Sequence, residues 1–137
     1  MEKNKIMKMF LQIYLLLTLN IFIHEIFHAT ACVLLKKEIV KIRIGIGPYL
    51  NLGKFTIGLI PLNGFVRFKF DILSITERKI IYLSGPIATI IMIIWYFLFS
   101  SFPYKNVLIL QLIIHLALSL IPKEGSDFSN AFKKDPI

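Results

Sequence analysis

Two long stretches of the chain run almost without charge, and a third is shorter. Residues 9–35 hold a single acid, Glu25, in an otherwise apolar run, and residues 80–102 hold no charged residue. At about 1.5 Å of rise per residue each exceeds a hydrocarbon core of about 30 Å, which predicts membrane-spanning helices. The third run, 107–121, reaches across once 104–106 join it or where the bilayer thins, giving a third span over 104–121. Between the first two spans the period changes to two. "IVKIRI" (39–44) and "FVRFKF" (65–70) alternate apolar and basic residues, and "KFTIGLI" (54–60) does so more loosely, which predicts three strands within 38–70. Gly45, Gly47 and Pro48 separate the first from the second, and "PLNG" (61–64) supplies a turn before the third. This segment is too apolar for a solvated loop, so it is expected to lie beside the bilayer, partly immersed against protein. Residues 71–79 read as a short polar, helical link. The expected class is a membrane α-helical protein: three transmembrane helices with a small membrane-associated β-hairpin or sheet between the first and second. Residues 1–137 form one domain, with no internal repeat or low-complexity tract.

Composition strengthens the membrane reading. The chain is 56% hydrophobic, and its mean hydropathy of +0.72 is well above that of a soluble domain. A net charge of +8 raises the question of nucleic acid, but its distribution answers it. With three spans, the N-terminus and the 102–106 turn share one side of the membrane, with Lys3, Lys5, Lys8 and Lys105. Every other basic residue lies in 36–79 or after 121. The positive-inside bias therefore places those segments in the cytoplasm and the N-terminus outside, with no nucleic-acid partner expected. The first apolar run is too long for a signal peptide and no small-residue cleavage site follows it. The single cysteine, Cys32, allows no intrachain disulfide and reads as a small buried hydrophobe.

An ionisable group in an apolar span signals function. Here His24, Glu25 and His28 form H-E-x-x-H, which on a helix lets both imidazoles meet one metal ion with the carboxylate beside them. Such a site suits zinc, which binds imidazole and carboxylate and keeps a position open for water. Two histidines leave zinc short of protein ligands. His115, Glu124, Asp127 and Asp71 are candidates for the third, and spacing alone does not choose. Lys36 follows His28 by about 12 Å of helix, so the motif lies near the cytoplasmic end, where the return of the third span brings Glu124 and Asp127. His115 lies deeper and reads as an interhelical hydrogen-bonding residue. Asn20, one turn before His24, serves either as support to the site or as glue between helices.

Taken in order, the motifs resemble the site-2 protease family of intramembrane zinc metalloproteases. The resemblance covers residues 10 to about 128. It rests on "HEIFH", "GIGP" (45–48), "IPLNGFVRF" (60–68), "LSGPIATI" (83–90) and "SLIPKEGSDF" (119–128), the last similar to the family's N-x-x-P-x-x-x-x-D-G. It implies one Zn2+ per chain held by His24, His28 and Asp127, with Glu25 as the catalytic base. Ser119 stands where the family has a substrate-holding asparagine, and Phe128 where it has glycine. Serine has one polar arm fewer, and phenylalanine does not readily take positive φ. The function implied is hydrolysis of peptide bonds in transmembrane or membrane-associated substrates near the cytoplasmic face; the small size and simple architecture point to a bacterial plasma membrane. A strand edge, 55–60 or 65–70, would receive the unwound substrate, which makes Phe55, Ile57, Phe65 and Val66 candidate contacts. Gly45, Gly47, Gly64, Gly85 and Pro86 read as turn geometry and close packing. The altered Ser119 and Phe128 motivate the alternative, a catalytically silent family member that binds or regulates a membrane partner.

Overall fold

The computed structural model describes residues 2–69 and 73–133. Its elements are α1 (Glu2–Leu34), β1 (Ile39–Leu52), β2 (Phe55–Phe68), α2 (Ile75–Phe99), α3 (Lys105–Leu120) and α4 (Asp127–Phe132). By length and composition α1 and α2 are long and apolar enough to cross a membrane, whereas α3 is a shorter apolar helix. The described part of the expected polar link at 71–79 is the start of α2 itself. Ser74 caps it: its hydroxyl accepts from the Glu77 amide, and the Glu77 carboxylate accepts from the Ser74 amide at 2.8 Å. At the other end of the loop, α1 stops in a Schellman turn. The amides of Lys37 and Lys36 donate to the Cys32 and Val33 carbonyls, and Lys36 is the one described non-glycine residue with positive φ, at 56°.

The β-region departs from the three expected strands. It holds two long strands, each 14 residues, joined at Gly53 and Lys54, and both run through the positions read as breaks. Glycine and proline here bend the strands without ending them. The register shifts repeatedly along the ribbon, and Ile42, Arg43 and Ile44 each pair twice, once with 55–57 and once with 64–66. The ribbon is thus folded over on itself. Side by side lie 64–68, 39–44, 55–57 and 49–52, so the sheet has one rim at 64–68 and the other at 49–52. The fold needs Gly45 and Gly58 where the bends cross. A Cβ on Gly45 would stand 2.7 Å from the Gly58 carbonyl oxygen, and one on Gly58 would stand 2.6 Å from the Gly45 carbonyl carbon. The strand expected over 65–70 is described to Lys69; Phe70 and Asp71 lie outside the described residues.

Polar and apolar residues are distributed inside out. Phe10, Leu15, Ile91, Trp95 and Leu110 are each more than half exposed, while Asn20, His24, Glu25, Thr89, Gln111 and His115 are buried. A buried polar set is stable only when hydrogen-bonded. Most of this one is, across elements. Asn20 Nδ2 donates to Gln111 Oε1 at 2.9 Å, Tyr96 Oη donates to Asn20 Oδ1 at 3.1 Å, and Gln111 Nε2 donates to the Leu17 and Pro61 carbonyls. Asn20 therefore ties α1 to α2 and α3, the glue reading of the two. Tyr14 Oη donates to the Leu59 carbonyl at 2.8 Å, which docks the ribbon's bend well up α1. Apolar packing completes the contact: Ile21 and Ala29 of α1 meet Ile42 and Ile44 of β1, and Cys32, fully buried as expected, packs with Ala31, Leu73 and Ile81.

Candidate metal centre

His24 and His28 sit one turn apart on α1, and both rings turn toward α2. His24 Nδ1 lies 2.7 Å from Thr89 Oγ1. That hydroxyl donates to the Gly85 carbonyl at 3.2 Å, so the imidazole Nδ1–H is the donor of the pair. His28 Nδ1–H donates to the Ile81 carbonyl at 2.7 Å. With a proton held on each Nδ1, both Nε2 atoms carry a lone pair. They nonetheless face one another at 3.1 Å. Asp127 closes the triangle, its Oδ2 at 3.3 Å from His24 Nε2 and its Oδ1 at 3.4 Å from His28 Nε2. Three electron-rich groups converging in a buried place repel unless a cation lies among them. Their separations match the roughly 3–4 Å expected between ligands sharing one tetrahedral zinc.

Asp127 arrives on α4, where Ser126 caps the helix by accepting from the Ser129 amide at 3.1 Å. As a carboxylate Asp127 would supply the one anionic ligand of the three, beside two neutral imidazoles. Of the other third-ligand candidates, Glu124 is exposed and belongs to no described ligand cluster. His115 is buried, its Nδ1–H donates to the Leu62 carbonyl at 3.2 Å, and its ring packs edge-on against His24 with centroids 4.2 Å apart. Its hydrogen bond runs to the ribbon where sequence reading expected a helix. His24, Glu25 and His115 make a second cluster with ligand atoms within 4.8 Å of one another. His24 has only one nitrogen free, so the two clusters are alternatives. The set with His28 and Asp127 leaves Glu25 uncommitted.

Glu25 is 2% exposed, and its Oε2 has no hydrogen-bond partner among the described residues. It lines, with both imidazoles and Asp127, a cavity of about 150 Å³. Phe65 and Val66 of β2 and Ser119 of α3 line it too; Phe55 and Ile57 do not, being paired on both sides within the ribbon. Phe128 lies in helical α4, its ring against Phe132, so no positive φ is asked of it. Sequence reading missed what Gly64 and Gly85 pack against. A Cβ on Gly64 would stand 2.7 Å from Glu25 Oε1, and one on Gly85 would stand 2.6 Å from His24 Nε2 and collide with His28 Nε2. Thr89, too, carried no signal in the sequence. A threonine one turn beyond Gly85 gains its meaning only when the ring it meets is seen.

A family model for peptidase family M50, the site-2 proteases, matches residues 12–134. The chain belongs to peptidase family M50. No curated protein matches it. The M50 family consists of zinc-dependent metallopeptidases, and the donor set of this M50 chain fits that metal: two imidazole nitrogens and a carboxylate, each imidazole oriented by its other nitrogen.

Proposed function

We propose that this M50 chain is an intramembrane zinc endopeptidase. It cuts transmembrane or membrane-associated protein substrates near the cytoplasmic face of a bacterial plasma membrane. The observation that carries the reading is the convergence of two imidazole lone pairs and the Asp127 carboxylate beside an unpartnered, buried Glu25. His24, His28 and Asp127 would hold the ion; bound there, zinc supplies a Lewis acid and lowers the pKa of a coordinated water. Glu25 accepts the proton of the attacking water and delivers it to the departing amine. With no partner among the described residues, Oε2 is open to that water.

The inside-out surface supports immersion of α1, α2 and α3 in lipid. The positive-inside bias favours the N-terminus outside, with the C-terminus and the ends of the β-region on the cytoplasmic side. The ribbon's bend at Leu59 reaches along α1 into the span. A helical substrate hides its scissile carbonyl in an internal hydrogen bond and must unwind. Among the described residues the sheet rim at 64–68 is paired on one side only; it borders the cavity at Gly64, Phe65 and Val66, and can take the unwound segment as an added strand. A silent binding protein is the second reading, favoured by Ser119 in place of the family's asparagine; the unpartnered Glu25 argues against it, since a binder gains nothing from a buried acid.

The test is cleavage by the purified chain in vesicles containing single-span substrates. Turnover is expected to stop with a zinc chelator and to return on adding zinc alone. Zinc bound in stoichiometric amount with no cleavage of any substrate would favour the silent binder.

A further inference from the structure

Among the described residues two carboxamides line the cavity, and neither has a role in the chemistry above. Asn63 comes from β2, at the entrance to the rim strand. Its Oδ1 accepts from the Gly64 amide at 2.9 Å, and the residue is exposed, at the mouth of the cavity, where its Nδ2 is open to a ligand. Asn130 comes from the opposite element, α4. It stands three residues after Asp127, hence on the same helix face, and its backbone amide is spent on the Ser126 carbonyl. Its side chain has no described partner, though it is half-buried beside the metal-facing carboxylate. The rest of that lining is apolar or already assigned, apart from Ser119, Ser126 and the Tyr82 ring.

An unwound peptide presents both N–H and C=O groups, and an added strand satisfies those on one side only. The groups turned away from the sheet then face α4, inside a cavity where an unmet hydrogen bond is costly. A carboxamide matches a peptide unit, since it offers a donor and an acceptor in one plane. We propose that Asn63 and Asn130 form a pair of carboxamides that bind the substrate main chain from the two walls of the cavity. Asn63 donates to a carbonyl at the rim, and Asn130 bonds the peptide unit facing α4. They recognise backbone, so they select for an unwound segment more than for a side-chain sequence. The pair would also do what Ser119, with a single short hydroxyl, does not reach far enough to do. This rests on the protease reading, and the test separates the two.

The probes are a leucyl peptide hydroxamate, which engages both metal and main-chain donors, and acetohydroxamate, which engages the metal alone. Binding of each to the full chain in detergent is compared for wild type, Asn63→Ala, Asn130→Ala, the double variant and Asn130→Gln. Each alanine variant is expected to weaken the peptide probe by roughly five- to tenfold, in line with one lost hydrogen bond. The double variant loses more than either, and Asn130→Gln, which keeps the carboxamide, recovers part of the loss. Acetohydroxamate affinity and zinc content stay at the wild-type level, which shows that the fold and the metal survive. Equal peptide binding by wild type and double variant would overturn the carboxamide pair and leave the protease reading standing. Failure of both probes to bind the wild type would overturn both.

Discussion

Glu25→Gln is expected to keep its zinc and to lose cleavage by roughly 10²–10⁴-fold, the contribution typical of a positioned general base. Glutamine has the same shape, and among the described residues Oε2 of Glu25 has no hydrogen-bond partner for the exchange to break. Gly64 leaves room for the head group at this place, since any Cβ there would meet Oε1 at 2.7 Å. The substitution thus changes one property, the ability to take a proton. Turnover and zinc content measured on the same sample separate the outcomes. A variant that cleaves like the wild type removes Glu25 from the mechanism, and one that loses its zinc shows that Glu25 holds the site together.

Gly85→Ala is the second large effect, and it runs against helix propensity. Alanine in place of a mid-helix glycine should steady α2 by about 1 kcal/mol. Its methyl, however, would enter the space between the helix and both imidazole Nε2 atoms. Neither ring can turn away cheaply. His28 is held by the Ile81 carbonyl at 2.7 Å and His24 by Thr89 at 2.7 Å. Thr89 is in turn bonded to Gly85 itself. Relief requires breaking those bonds or moving α2 away from α1. Zinc affinity is therefore expected to fall by at least about tenfold, the lower end of what loss of ligand orientation costs. The metal-free protein is expected to melt lower than the wild type, because the broken hydrogen bonds outweigh the helix gain. Isothermal titration with zinc and a thermal melt of the apo protein together test this. Unchanged zinc affinity would mean that the rings do not face α2 as described.

The two predictions divide along what the sequence could tell. Glu25, His24 and His28 announce themselves, because charge in an apolar helix at a four-residue spacing has few structural explanations. Asp127 was picked out by the motif at 119–128, and it lies opposite both rings. Gly85 was invisible as part of the site: a glycine followed by proline in an apolar helix looks like packing, and the fact that it packs against imidazole nitrogens depends on how α1 and α2 are rotated. No spacing rule encodes that rotation. The ribbon failed for a related reason. Glycine and proline interrupt a period-two pattern whether a strand ends or bends, so three strands were expected where two bent ones pair with themselves. Placing Phe55 and Ile57 inside that ribbon, away from the cavity, required the double pairing of Ile42 and Ile44. The inside-out burial, by contrast, was foreshadowed by the apolar runs themselves.

Zinc-edge X-ray absorption on the chain, purified without chelators and assayed for metal on the same sample, reads the three proposed ligands at once. One zinc per chain is expected, with two imidazoles in a nitrogen and oxygen shell at about 2.0–2.1 Å. Protein free of metal, a shell lacking paired imidazoles, or sulfur at about 2.3 Å from the lone Cys32 would contradict a site built from His24, His28 and Asp127.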